Sequence, residues 1–410
     1  MKILLVYQYF LDKDESGLSR FNKMIEHWER EGHEITVIAG NVNYTSGTKK
    51  EKYKGKLYTT EQYSEKTTLY RTYVSESYNK SLLGRLWGYF SFTFSSSLVG
   101  LLKLKKHDVV IVSSPPLFVG ITGVLLKFFK RMPLVFEVRD IWPESAIELG
   151  LLNSKLLIKL SYLGEKLFYK YADRINVLTP AFKDFLINKK IVDKNKIIYI
   201  PNGADLDVFY PQSNNQRLEQ LKKEYEGKFI VSYFGSHSTA NKLEQLLDVA
   251  RECSKDKKIH FLLIGNGKEK ENLIKKAKEE NIDNVTFLGQ QPREKINDYC
   301  AISDIGTAIL PKIDIFKTVY PSKVFDYLSA GKPVVIGVDG VSRELVEANN
   351  CGIYANPENP KEFREAILKI LENNNLRASM GENGRSLMEK EFSRQNLSLK
   401  YLDELIKLKR

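Results

Sequence analysis

Residues 108–140, DVVIVSSPPLFVGITGVLLKFFKRMPLVFEVRD, place two apolar runs, DVVIVSS and PLVFEVRD, on either side of a helical pattern. Neither run alternates apolar with polar residues. A strand covered on both faces reads as a continuous Val/Ile/Leu segment, and such strands joined by helical crossovers build a parallel sheet. Working outward, ILLVYQY and EITVIAG come before this unit with LSRFNKMIEHWEREG between them, and RINVLTP and KIIYIPNG come after it. A polar segment around 211–228 interrupts the pattern, which restarts with FIVSYFGS, IHFLLIGNG, NVTFLGQ, DIGTAIL and KPVVIGV. The chain therefore reads as α/β, with two doubly wound, Rossmann-like parallel-sheet domains at 1–203 and 204–387 and a closing helical segment, 388–410, expected to pack back on the first. A chain of 410 residues is too long for one core, which agrees with two domains. Ligands of such folds sit at the carboxyl ends of the strands, so the expected site is the cleft that the two domains face.

Charge divides unevenly between the halves. Of 63 Lys+Arg and 51 Asp+Glu, residues 1–200 hold 31 and 20, and residues 201–410 hold 32 and 31. The excess of +12 thus lies almost wholly in the first half, which points to an anionic partner there. A nucleic-acid surface would cluster arginines among aromatics. Here the cations are mostly lysines beside Leu, Phe and Tyr, as in LLKLKK, LLKFFKR and SKLLIKLSYLGEKLFYKYADR, and the expectation is an anionic membrane surface and no nucleic acid. Residues 86–102, LWGYFSFTFSSSLVGLL, carry no charge but are diluted by five Ser/Thr and two glycines. They read as a buried helix or one lying on a membrane between Arg85 and Lys103, Lys105 and Lys106, and less well as a span. MKILLVYQYF reads as a first strand, and three scattered cysteines give neither a disulfide framework nor a zinc site, so a cytoplasmic chain is expected.

The residues that could carry chemistry fall at strand-to-helix junctions. VYPSKVFDYLSAGKPVV, 319–335, reads as a helix opening after Tyr320 and Pro321, with Ser322 as N-cap and Gly331 as stop. Free N–H groups at such a start suit a diphosphate. Lys323 in the first turn opposes the helix dipole, as a functional residue can, and Asp326 one turn on could accept from ribose hydroxyls. EVRDIWPESA sets Arg139, Asp140 and Glu144 after a strand, and Ser114, at the end of DVVIVSS, is a further candidate for the cleft. FGSHSTANK supplies Ser236, His237 and Lys242, and IGNGKE supplies Gly265 and Asn266, with glycines that permit close backbone approach. Two solvated charges, a salt-bridged loop and tight packing are the plainer readings of these same groups. The Asp-x-Asp letters at Asp12–Asp14 and Asp205–Asp207 are assigned to no metal.

PSKVFDYLSAGKPVV resembles the donor-binding segment of the GT-B glycosyltransferases of family 4. REGHEITVIAGNVNYTSG, DVVIVSSPPLFVG, EVRDIWPESAIELG and IIYIPNGADLDVFYP extend the likeness along the chain, in the branch of L-fucosamine (N-acetylfucosamine) transferases of O-antigen and capsule assembly. The resemblance implies retaining transfer from a UDP-sugar, an N-acetylated hexosamine or deoxyhexosamine, to a polyprenyl-diphosphate-linked saccharide, without a metal, by a protein peripheral on the inner face of the plasma membrane. It implies that Lys242 and Lys323 neutralise the leaving diphosphate, that Arg139 touches the donor sugar, that Gly17 lies under the phosphates and that Gln290 opens a loop toward the base. The chain departs from the pattern at Thr318, where the family carries its first acid, at Ser236, where it carries an Arg, and around Gly17, where a glycine pair is usual. A UDP-sugar epimerase and a non-catalytic scaffold on the membrane are the rival expectations.

Overall fold

The structure, a computed structural model, describes residues 1–13, 20–43, 47–79, 82–212 and 216–409. Two compact units emerge from it, Met1–Pro201 with Gln395–Arg410, and Asn202–Arg394.

In the first, strands β1 (Lys2–Val6), β2 (Glu34–Gly40), β3 (Tyr58–Ser64), β4 (Thr67–Thr72), β5 (Val109–Ser114), β6 (Leu134–Val138), β7 (Arg174–Val177) and β8 (Ile197–Tyr199) form one sheet in the order β3-β4-β2-β1-β5-β6-β7-β8. All neighbours are parallel except the edge pair β3/β4. Helices α1 (Arg20–Arg30), α2 (Leu82–Leu102), α3 (Gly120–Lys130), α4 (Glu144–Glu148), α5 (Lys155–Tyr171) and α6 (Pro180–Asn188) provide the crossovers. The quoted stretch 108–140 is the unit β5-α3-β6, and both strands are buried along their length. Gly123 is what lets α3 close on them, since a Cβ there would meet Leu134 and Val112 at 2.8 Å.

The second unit holds a six-stranded parallel sheet of β9 (Phe229–Phe234), β10 (Ile259–Ile264), β11 (Val285–Leu288), β12 (Ile305–Ile309), β13 (Val334–Gly337) and β14 (Gly352–Tyr354), ordered β11-β10-β9-β12-β13-β14. Its helices are α7 (Gln216–Glu224), α8 (Glu244–Glu252), α9 (Lys270–Glu279), α10 (Arg293–Ile302), α11 (Ser322–Ser329), α12 (Val341–Ala348), α13 (Pro360–Leu371) and α14 (Asn374–Glu391). A last helix, α15 (Arg394–Ile406), returns to the first unit, where Leu397, Tyr401, Leu402 and Leu405 join the core of β1, β2 and α1, and Trp28 Nε1 donates to the Ser398 carbonyl at 2.8 Å.

The crossings fall at 201/202 and 394/395 where the sequence suggests 203/204 and 387/388. The return is later because α14 runs unbroken to Glu391 and buries Leu387 and Met388 in the second core. The outgoing and returning segments are tied to each other. Ala204 N donates to Phe392 O, Arg394 N donates back to Ala204 O, and the Arg394 guanidinium holds Asp205 and the carbonyls of Asn202 and Gly203. With α15 counted in, the first unit carries +13 and the second −1. Among the described residues no helix is long and apolar enough to cross a membrane.

Candidate active site

The second domain gathers its candidates where β9, β10 and the start of α11 end in loops. Gly235 and Gly265 take φ of +143° and +149°, which a side chain resists, and a Cβ on Gly265 would lie 1.9 Å from the Gly235 carbonyl oxygen. The two loops interlock through His237, whose N–H donates to Asn266 O at 2.9 Å and whose carbonyl accepts from Glu269 N at 3.0 Å. The His237 ring is 0% exposed, and neither ring nitrogen has a hydrogen-bond partner. Burial first, then the charges of Lys270 and Lys323, push its pKa down to about 4, so the imidazole is neutral. Asn266 is exposed and folds its own amide oxygen onto Gly267 N at 2.9 Å.

Lys323 reaches into this corner. Its Nζ lies 4.3 Å from the Tyr233 ring centroid and donates to the Tyr233 hydroxyl at 3.2 Å, which in turn donates to the Ser236 carbonyl at 3.0 Å. Burial pushes the ammonium down to about 8, and Asp326, one turn along and 5% exposed, opposes the shift. The expected cap is corrected. Pro321 occupies the N-cap position in extended conformation with no side-chain cap, and Ser322 is the first helical residue. Proline has no side-chain acceptor, so the first N–H groups of α11 have no side chain bonded across them. Tyr320 packs on Phe325 at 5.6 Å and Phe392 at 6.2 Å, bracing the approach to the helix. A cation, a helix N-terminus and two glycine loops meet in this corner, and these are the kinds of group that attract a phosphate-like anion. Lys242 stands outside these contacts, exposed on a left-handed turn, and hydrogen-bonds to none of these groups. Ser236 and Gln290 are exposed, and Thr318 turns its hydroxyl to Ile315 O at 2.6 Å.

In the first domain Arg139 and Asp140 follow β6. The Arg139 guanidinium donates to the Tyr7 hydroxyl and lies 5.1 Å from that ring's centroid. Desolvation raises the Asp140 pKa, while Ser145 Oγ donates to its Oδ2 at 3.0 Å. Glu144 accepts from Lys190 at 2.6 Å, and Lys190 also donates to the buried Glu165 at 2.6 Å, so a cation joins α4 to α5. Ser114 is buried at the end of β5. Glu137 is committed to structure: Arg20, Asn176 and Ser113 surround its carboxylate. Asp12 pairs with Arg71 and Lys50, and Asp205 with Arg394, which gives both Asp-x-Asp motifs a cation as partner. Gly17 and Asp14 lie outside the described residues. Tyr7, Tyr233, Glu165 and Lys190 are the participants that sequence reading missed. The tyrosines sit within apolar strand runs, and the other two pass for helix-surface charges.

Residues 18–203 match the family described as glycosyl transferase 4-like domain, and residues 214–387 match the one described as glycosyl transferases group 1. The chain is 25% identical over 310 residues to "Probable glycosyltransferase WbjE" of Pseudomonas aeruginosa, covering 74% of this chain and 75% of that one. It is 24% identical over 316 residues to the capsular polysaccharide biosynthesis glycosyltransferase CapM of Staphylococcus aureus, covering 73% and 78%. Among solved structures, Alr3699/HepE of Anabaena in complex with UDP and glucose superposes with a TM-score of 0.71 at 17% identity, covering 99% of this chain and all of that one.

Proposed function

The chain belongs to the group 1 and 4-like glycosyltransferases and has the GT-B fold, and on that premise we propose that it transfers a sugar from a UDP-sugar during bacterial polysaccharide synthesis. The donor sugar in this reading is an N-acetylated hexosamine or deoxyhexosamine, as in the fucosamine-transferase branch that the segment 319–335 resembles. The acceptor is a polyprenyl-diphosphate-linked saccharide, and the enzyme works at the inner face of the plasma membrane. The observation that carries the proposal is Lys323, held over Tyr233 at the uncapped start of α11 and beside the His237 loops. A nucleoside diphosphate placed there meets a cation and backbone N–H groups, over loops packed around the buried, neutral His237 imidazole. The first domain, with +13, faces the lipid-linked substrate.

In the step proposed, the acceptor hydroxyl oxygen bonds to the anomeric carbon as the bond from that carbon to the diphosphate breaks, on the same face, with retention. The departing phosphate oxygen takes the acceptor proton. Lys323 and the α11 N–H groups stabilise the charge that develops on the diphosphate, the largest single contribution such a site makes. Lys242 joins them when its turn meets the donor. Arg139 and Asp140 orient the sugar hydroxyls. The reading assigns the phosphate charge to these groups and to no metal ion.

The test is UDP release across a panel of UDP-sugars with a polyprenyl-diphosphate disaccharide, with product anomericity read by NMR. Release that needs both substrates, and that falls about a hundredfold or more in Lys323→Ala and drops in Asp326→Ala, supports the reading. Full turnover by both variants overturns the site, product formed without acceptor identifies an epimerase, and donor binding without turnover identifies a scaffold.

A further inference from the structure

Helix α2 is built inside out for a helix facing water. Its hydroxyls point inward: Ser96 and Ser97 are buried, and both meet the Thr122 hydroxyl of α3 at 2.9 Å. Three of its aromatic rings point outward, Trp87 at 60% exposure and Phe94 at 68%, with Phe90 between them, while Phe92 is buried. Exposed apolar groups continue on the helices beside it. On α3, Phe129 is 72% exposed next to Phe128, and on α5 Leu156, Leu160, Leu163 and Leu167 form one exposed stripe at helical spacing. Every exposed residue of α5 is Leu, Lys or Tyr. Lys155, Lys159, Lys166 and Lys170 run alongside the leucines, and none is in an ion pair among the described residues. The only acid on the three helices is Glu165, which is buried against Lys190. All three helices pack on one side of the first sheet, α2 on α3 and α3 on α5. Isolated exposed leucines are ordinary, but a run of them across three adjacent helices with a collar of unpaired lysines is not.

We propose that this side of the first domain is a docking surface for an anionic lipid bilayer, in which Trp87, Phe94, Phe129 and the α5 leucines enter the acyl boundary and the α5 lysines rest on lipid phosphates. The charge chooses the occupant. A second copy of the chain would set these lysines against one another, and a neutral apolar partner would leave them unused, whereas an anionic leaflet takes both features at once. No described helix is long and apolar enough to cross a membrane, and the proposed contact is with the surface of the leaflet. The docked side is continuous with the candidate site through packed rings, Phe90 to Phe118 at 4.7 Å and Phe118 to Trp142 at 5.9 Å, the last in the loop that follows Asp140. A lipid-linked acceptor would therefore arrive beside the residues that receive it. This deepens the proposed function by naming the partner surface, and it rests on that reading only for its purpose.

The experiment is co-sedimentation of the full chain with vesicles of phosphatidylcholine alone or with 30% phosphatidylglycerol, beside UDP release with a short water-soluble acceptor. The protein should bind the anionic vesicles at least tenfold better than the neutral ones and release as salt is raised. A Phe94→Ser/Phe129→Ser/Leu163→Ser variant and a Lys155→Glu/Lys159→Glu/Lys166→Glu variant should each lose binding tenfold or more while keeping the native circular dichroism and UDP release on the soluble acceptor. Equal binding to both vesicles, unchanged binding by both variants, or a dimer in sedimentation velocity that the triple serine variant dissolves overturns the docking surface. Absence of UDP release with intact vesicle binding overturns the proposed function and leaves the surface standing.

Discussion

The ammonium of Lys323 rests on the face of Tyr233, 4.3 Å from the ring centroid, with the tyrosine hydroxyl as its hydrogen-bond partner at 3.2 Å. The pair fixes a long flexible side chain at the start of α11 before any ligand arrives, at the cost of solvation. Burial brings the lysine to about 8, so its charge is lost as pH rises through that value. Donor kcat/KM is expected to fall above pH 8 in the wild type and to stay flat to about pH 10 in Lys323→Arg. Lys323→Ala should cost on the order of 10²–10³ in kcat. Steady-state rates between pH 6 and 10 check both.

His237 makes an acid-sensitive lock. Its folded pKa of about 4 lies below the unfolded value near 6.5, so the unfolded chain binds the proton first and stability is lost as pH falls between the two. The loss is expected to be on the order of 3 kcal/mol. Urea denaturation at pH 7.5 and pH 4.5 measures it, and His237→Gln should flatten the difference.

Gly265→Ala places a methyl group 1.9 Å from the Gly235 carbonyl oxygen at a φ that alanine avoids. One of the two loops must then move. The variant is expected to lose about 2 kcal/mol of stability and any thermal shift with UDP, while Gly289→Ala, where nothing stands within 4 Å of the added methyl, keeps both.

Lys190 serves two carboxylates, Glu144 and Glu165, that belong to different elements. Lys190→Met leaves both without their cation and is expected to destabilise by about 2–4 kcal/mol, whereas the triple Lys190→Met/Glu144→Gln/Glu165→Gln should recover most of it. Chemical denaturation of the full chain reads the cycle.

The sequence made the buried parallel strands legible because their Val/Ile/Leu runs have no other reading at that length. It hid β3 and β4, whose YTTEQYS and TTLYRT are mostly polar runs, with Thr67, Arg71 and Thr72 buried in β4, and β14, which is only three residues long. Lys323 was visible because it broke a local rule at a helix start. Tyr233, which holds it, looked like one more core aromatic, and the burial of His237 followed from two glycine loops meeting across more than twenty residues of sequence. The Glu144–Lys190–Glu165 group was illegible for the same reason: nothing local distinguishes a charge that faces water from one that faces another charge.

The placement of α15 sets the order in which the molecule can be made. The first domain keeps a slot against Trp28 for Tyr401 and its neighbours, yet those residues leave the ribosome only after the whole second domain has been translated. Until then the apolar floor under α1 lacks the cover that Leu397, Tyr401 and Leu405 give it, while the second half can already close. Losing Leu397, Tyr401, Leu402 and Leu405 of α15 would thus be felt in the core that β1, β2 and α1 build, about 360 residues earlier in the sequence.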